Sequence, residues 1–281
     1  MEQATYDRKR ADLRHDPKTR TCLLVRFLAA LTFVILTAVP FLLNPLSRLL
    51  DGADPDFLAA YRTYVLPGAW VVCTLITAGC LFAVRSLSRS YRTAAWLNVG
   101  AAVVQILASV LSALLSQPSE LAIDSVRFEQ NMNVLSIACA IAFFVLSLIG
   151  LLLEMRAHSE SMVELGPELT NDWETLGSRI KLFFGLTFVY IPVVGFVGIG
   201  LFALASMLHL IDLIPILLFL SLLVPYVGFA LYFIVRYFVL LKRTRNVYTA
   251  TMEDAVRVET AYAEELQKRI EANPLLRNSA K

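Results

Sequence analysis

Charged residues are scarce in this chain, and long stretches contain none of them. Lysine, arginine, aspartate and glutamate make up 17% of the 281 residues, whereas hydrophobic residues make up 57%. Soluble domains typically have about 25% charged and about 45–50% apolar residues. The composition therefore favours a membrane protein. The net charge of +2 is close to balance, so the sequence gives no reason to expect a nucleic-acid partner.

Motifs of metal sites, nucleotide sites and catalytic centres are lacking as well. The three histidines lie far apart, and no Cys-x-x-Cys pair or His/Cys cluster is present. The chain contains neither a P-loop nor a nucleophile elbow. We therefore predict no metal, no cofactor and no catalytic residue, and a membrane-embedded enzyme is the least favoured function. We interpret the four cysteines as small packing residues: Cys22, Cys73, Cys80 and Cys139.

Six apolar runs are long enough to cross a bilayer, since roughly 20 apolar residues in a helix span its hydrocarbon core. They cover about residues 23–43, 64–84, 94–116, 132–153, 182–208 and 213–241. The sequence thus predicts an all-α fold, a polytopic bundle of six transmembrane helices within residues 23–241. A short polar segment, residues 1–22, precedes the bundle, and a polar tail, residues 242–281, follows it.

Basic residues are divided unequally between the two sides that six spans would define. All of the 25 lysines and arginines except Arg48, Arg62 and Arg127 fall in the termini, in the second and fourth connections, or beside them. Basic loops stay in the cytoplasm according to the positive-inside rule. We therefore predict that both termini are cytoplasmic and that the protein lies in the plasma (inner) membrane.

One face of the third run is small and polar. Its members recur at alternating steps of four and three, which places them on one side of a helix: Asn98, Ala102, Gln105, Ser109, Ser112 and Ser116. Such a face is typical of helix packing in membranes, and it could also line a hydrated path or form an oligomer interface. Since no Asp, Glu, Lys or His lies in the middle of any run, packing is favoured over an ion path.

The fifth and sixth runs contain candidate hinge residues. These are Pro192, Gly195, Gly198 and Gly200 in the fifth run and Pro225 in the sixth. Glycine and proline allow a membrane helix to bend, and glycine also allows close helix packing. We interpret the three glycines chiefly as packing residues.

Three features near the ends of the runs lead to further expectations. Arg26 lies in the first turn of the first run, from which its side chain can reach the lipid headgroups. Asn171 followed by Glu174 matches a capping box, so a helix is expected to begin near Asp172. Trp173 is then expected at the bilayer surface.

The tail contains an amphipathic pattern over about residues 252–272. Val258, Tyr262, Leu266 and Ile270 recur every four residues and form an apolar edge. Such an edge suits either a protein partner, including a second copy of the chain, or the membrane surface. The polar face and the hinge residues favour a transport-related, permease-like membrane subunit. The alternative is a non-catalytic scaffold or signalling component that recruits a partner through the tail.

Overall fold

The computed structural model describes residues 2–50, 60–115, 125–207 and 213–272. These residues are almost entirely helical, which confirms the predicted all-α fold. The helices are α1 (Glu2–Arg14), α2 (Pro17–Leu50), α3 (Leu66–Ala83), α4 (Arg89–Leu115), α5 (Ser125–Met162), α6 (Pro167–Met207), α7 (Leu213–Val247) and α8 (Met252–Ala272). A π-helical turn, Tyr61–Val65, leads directly into α3.

Helices α2 to α7 each contain a stretch that is long and apolar enough to cross a membrane. Their number agrees with the six predicted spans, and they are consistent with an integral membrane protein. Helices α5 and α6 continue beyond the predicted runs, which end near residue 153 and begin near residue 182. The two helices meet at a tight turn in which the Gly166 amide donates to the Met162 carbonyl over 2.8 Å. The bundle therefore extends past the apolar layer at this end.

Both terminal helices lie at that same end of the bundle. Arg14 of α1 forms a buried ion pair with Glu259 of α8, with Nε 2.8 Å from Oε2. Its guanidinium also donates to the Leu165 carbonyl in the α5–α6 turn over 3.1 Å. The Thr249 backbone amide donates a hydrogen bond to the Arg14 carbonyl over 2.7 Å. We call this the termini end of the bundle.

Helix α8 occupies the stretch in which the sequence predicts an amphipathic helix. Its buried positions, Ala255 and Glu259, face α1, and the Tyr262 ring lies about 6 Å from the Arg14 guanidinium carbon. Val258 and Leu266, by contrast, are 36% and 46% exposed. The Ile270 side chain lies outside the described residues. The contact with α1 thus covers only part of the predicted apolar edge.

Helix α6 begins earlier than predicted. Its first residue is Pro167, because the preceding Gly166 turn ends α5 and proline suits the first turn of a helix. Asn171 lies inside the helix, and the Glu174 carboxylate accepts a hydrogen bond from Ser159 of α5 over 3.0 Å. The predicted capping box at Asn171 and Glu174 is therefore wrong.

Burial is distributed unequally among the helices. Along α4, buried residues recur from Tyr91 through Ala102 to Leu111. In α6 they end at Ile180, and every described side chain from residue 181 to residue 200 is half-buried or exposed. The dense packing of α6 is thus confined to the termini end.

Candidate functional site

The centre of the termini end is a buried ion pair between Arg26 of α2 and Glu154 of α5. The guanidinium donates twice to the carboxylate, Nε to Oε1 over 2.8 Å and Nη2 to Oε2 over 2.9 Å. Glu154 is 1% exposed and Arg26 is 9% exposed. Arg26 therefore does not reach the lipid headgroups as predicted, because a carboxylate at its own depth satisfies the charge within the bundle.

Three aromatic side chains extend this pair into a polar network. The Tyr237 hydroxyl of α7 donates to Glu154 Oε1 over 2.9 Å. His158, one helical turn after Glu154, places Nε2 3.6 Å from the same oxygen. Its Nδ1 lies 2.8 Å from the Tyr91 hydroxyl of α4. We call Arg26, Tyr91, Glu154, His158 and Tyr237 the polar network. It joins α2, α4, α5 and α7.

Trp173 attaches α6 to the polar network. Its indole stacks on the His158 ring, with centroids 4.7 Å apart, and its N–H donates to Thr244 Oγ1 of α7 over 2.9 Å. Trp173 has no exposed surface, so the predicted position at the bilayer surface is wrong. The stacked imidazole and the Thr244 hydroxyl give the indole both an apolar and a polar partner within the bundle. All the helices from α4 to α7 thus meet at this cluster.

The geometry of the polar network favours holding helices together. Almost every polar atom in it has a partner, and the exception is His158 Nε2, whose 3.6 Å separation from Glu154 is too long for a hydrogen bond. The imidazole stands between the Glu154 carboxylate and the Tyr91 phenol and so links α5 to α4. Within the described part of the chain, no group of three or more His, Cys, Asp or Glu side chains could hold a metal ion.

The sequence did not indicate this network. Arg26 and Glu154 lie 128 residues apart, and each stands near the end of an apolar run, where single charges are common. One signal was present: Glu154 and His158 are four residues apart and continue one face of the fourth run. Both residues lie in the candidate span Val134–Met162, which therefore contains an acidic residue and a histidine near one end.

The small polar face of α4 has mixed surroundings. Ala102 and Gln105 are buried, Asn98 and Ser109 are half-buried, and Ser112 is exposed. The Asn98 side-chain amide donates a hydrogen bond to the Ala94 carbonyl over 2.8 Å, and Ser109 Oγ donates one to the Gln105 carbonyl over 2.9 Å. Both bonds lie within α4. Ser116 lies outside the described residues.

The first half of this face packs closely on α5. A Cβ added to Gly150 would lie 3.3 Å from Asn98 Nδ2 and 3.6 Å from Leu97 Cβ. Gly150 therefore allows α4 and α5 to approach each other closely, and the small side chains Ala94 and Ala101, both without exposed surface, contribute to the same region. We call this contact the α4–α5 interface.

The candidate hinge residues have different surroundings. A Cβ added to Gly185, Gly195 or Gly200 of α6, or to Gly228 of α7, would meet nothing within 4 Å outside the local backbone. Pro192 and Pro225 both lie inside continuous helices. The Gly198 side-chain position is outside the described residues. We predicted that Gly195 and Gly200 pack against another helix. Within the described part of the chain, no neighbouring helix lies beside either glycine.

Among the described residues, α6 and α7 contact each other near the termini end. The rings of Phe183 and Phe229 stack with centroids 3.8 Å apart. Asp172 of α6 accepts hydrogen bonds from Arg236 and Arg243 of α7 over 2.7 and 2.8 Å. We call α6 and α7 together the hairpin. On the other side of the bundle, α2, α3 and α5 are joined inside the apolar layer by Trp70, which stacks on Phe143 and donates to Thr37.

Comparison of the chain with protein families, with curated proteins and with solved structures finds no match in any of the three.

Proposed function

We propose that the chain is a permease-like membrane subunit in which the described part of the hairpin beyond Phe183 moves against helices α2 to α5. The polar network, which includes Tyr237 at the base of the hairpin, is the fixed part of this arrangement, because charge-assisted hydrogen bonds join Arg26 and Glu154. The observation that carries the proposal is the set of hairpin glycines that have no neighbour among the described residues: Gly185, Gly195, Gly200 and Gly228.

A lipid-soluble substrate fits this arrangement best. The described hairpin surface beyond Phe183 is apolar, with Phe188 80% and Phe196 76% exposed. Gly195 and Gly200, which have no side chains, leave shallow depressions in this surface. No titratable group of the polar network reaches this region, so an amphipathic molecule entering from the bilayer suits it better than an ion does.

Lipid translocation in proteoliposomes tests the proposal. Vesicles that contain the full-length protein and a trace of headgroup-fluorescent phospholipid are treated with dithionite, which reduces only outer-leaflet dye. The protein should raise the reduced fraction well above the roughly one half expected of sealed, protein-free vesicles. Gly195→Leu with Gly200→Leu should lower this fraction, because the leucines fill the depressions.

Gly79→Leu is the matched control. Gly79 of α3 also has nothing within 4 Å of an added Cβ, but it lies outside the hairpin. Its replacement should leave the reduced fraction unchanged. A wild-type fraction equal to that of empty vesicles, or an equal loss in the control, would contradict the proposal.

The orientation is part of the same proposal. Arg14, Arg85, Arg92 and Lys242 lie at or near the termini end, and a basic end faces the cytoplasm under the positive-inside rule. A reporter fused after Lys281 should therefore be active only in its cytoplasmic form. An external signal would reverse the assignment.

A scaffold function is the second candidate, and the exposed edge of α8 favours it. Val258 and Leu266 stay uncovered although α8 packs on α1. Replacing both with glutamate should abolish any partner contact made through this edge, whereas Thr260→Glu on the same helix should not. Cross-linking in native membranes, with the full chain as bait, would compare the wild type, the double glutamate variant and Thr260→Glu. An unchanged cross-linking pattern would remove the scaffold reading.

A further inference from the structure

The turn between α3 and α4 borders a cavity that the polar network does not use. It is an open cavity of about 480 Å³ at the surface, and its lining consists of four exposed residues: Arg85, Ser86, Arg89 and Arg92. Pockets that bind small ligands typically enclose about 300–1,000 Å³. The cavity is therefore large enough for a small polar group, and three of its four lining residues carry a positive charge.

The three arginines of the cavity have no acidic partner within the described residues. Glu160 of α5 is bound to the same turn, but it is already engaged: it accepts from Ser88 Oγ over 2.5 Å, from Ser90 Oγ over 2.9 Å and from Arg156 Nε over 2.8 Å. Arg156 balances its charge. Glu160 thus fixes the shape of the turn and leaves the positive charge of the cavity uncompensated.

Helix α4 adds to this charge. Its first residue is Arg89, so its positive dipole end lies at the cavity. Ser88 Oγ accepts from the Ser90 amide over 3.0 Å, which satisfies one of the amides of the first turn. The three arginines line the cavity at this end of the helix. Together they form a site for an anion with more than one negative charge.

Neighbouring side chains indicate the depth of the cavity in the bilayer. Trp96 lies one helical turn from Arg92 toward the apolar layer, is 62% exposed, and packs edge-on against Phe82 with centroids 5.2 Å apart. Exposed tryptophans are enriched where the hydrocarbon core meets the headgroups. The cavity therefore lies at headgroup depth.

We propose that this arginine cavity binds a phosphate group, presented at this depth by an anionic phospholipid. Guanidinium forks match phosphate oxygens in pairs, which an ammonium group does not. A soluble phosphate ester carries the same chemistry, and the experiment separates the two sources. The inference does not depend on the proposed transport function.

The test compares lipid retention by the full-length protein in nanodiscs. The discs contain phosphatidylcholine and phosphatidylglycerol with identical acyl chains, and native mass spectrometry counts the lipids that remain bound after release. The variant is Arg85→Gln with Arg89→Gln and Arg92→Gln. The control removes the same charge from exposed positions outside the cavity, with Lys18→Gln, Lys181→Gln and Lys242→Gln. A second arm titrates glycerol 3-phosphate against lipid-free protein in detergent.

The wild type should retain phosphatidylglycerol in preference to phosphatidylcholine, and the cavity variant should lower this ratio roughly tenfold or more. The control should change the ratio by less than about twofold. Each single substitution, which perturbs folding least, should give a partial loss. Saturable glycerol 3-phosphate binding that the cavity variant abolishes, without any lipid preference, would support the phosphate site and identify a soluble source. Equal values for wild type and cavity variant in both arms, or an equal loss in the control, would overturn the proposal.

Discussion

Gly150 and Gly195 lie in apolar helices of the same bundle, but in the part of the chain that the structure describes only Gly150 has another helix beside it. At Gly150 a methyl group would come within 3.3 Å of Asn98, whereas at Gly195 it would meet nothing within 4 Å. The same residue type therefore serves close packing at the α4–α5 interface and leaves the hairpin open. The difference teaches that glycine content alone does not identify a packing face in a membrane helix.

The termini end and the hairpin extend this comparison to whole regions. Ion pairs, hydrogen bonds and stacked rings link five helices around Glu154 and Trp173. Beyond Phe183, every described side chain of α6 as far as residue 200 is half-buried or exposed. We infer that the bundle is most resistant to change at the termini end and most adaptable in the hairpin.

The largest effect is expected from breaking the central ion pair. Glu154→Gln should lower the free energy of unfolding by about 3–5 kcal/mol, because Arg26 then remains buried without a counter-charge. Replacing both partners, with Arg26→Met and Glu154→Leu, should recover most of this loss. Unfolding in mixed micelles, followed by circular dichroism, measures both. Arg156→Ala, which breaks an exposed pair with Glu160, is the control and should cost less than about 1 kcal/mol. A cost for Glu154→Gln no larger than that of this control would contradict the fixed termini end.

Leucine in place of glycine should separate the two regions. Gly150→Leu should destabilise the protein by about 1–3 kcal/mol, since the new side chain must displace α4. Gly195→Leu should change stability by less than about 1 kcal/mol, because it meets open space and leucine is a better helix former. The same unfolding assay compares them. Equal losses would show that α6 is packed at Gly195 as tightly as α5 is at Gly150.

Much of the architecture was predictable because hydrophobic pattern determines it. Apolar runs of roughly 20 residues identified six spans, and four-residue spacing identified the helix that contains Val258 and Leu266. The pairing of Arg26 with Glu154 was not predictable, since periodicity reports the neighbours within one helix and not those on another. For the same reason Trp173 could not be assigned to the interior. The surroundings of the predicted polar face and hinge depend on helix arrangement, which the sequence does not provide.

A smaller effect is expected in the pH dependence of the unfolding free energy, through a tyrosine at the termini end. Burial raises the pKa of the Tyr248 phenol to about 12, from an ordinary value of 10.0. The folded protein therefore keeps this phenol neutral at a pH at which the unfolded chain ionises it. Stability should be complete below about pH 10 and should fall as the pH rises toward about 12, by on the order of 2 kcal/mol.

Tyr248→Phe isolates this contribution from other alkaline titrations. The difference in unfolding free energy between the wild type and this variant, measured from pH 8 to pH 12, should shift in favour of phenylalanine only above about pH 10. A difference that does not vary with pH would mean that the phenol is not held neutral by the fold.

The most direct test of the central claim measures distances across the two interfaces in the same membrane. Pairs of spin labels are placed on exposed positions of full-length protein whose native cysteines are replaced: Val103 with Ile141 across α4 and α5, and Val103 with Val193 across α4 and α6. Double electron–electron resonance in proteoliposomes then gives both distance distributions. We predict one narrow distance for the first pair and a broad or double distribution for the second. Two equally narrow distributions would contradict a movable hairpin.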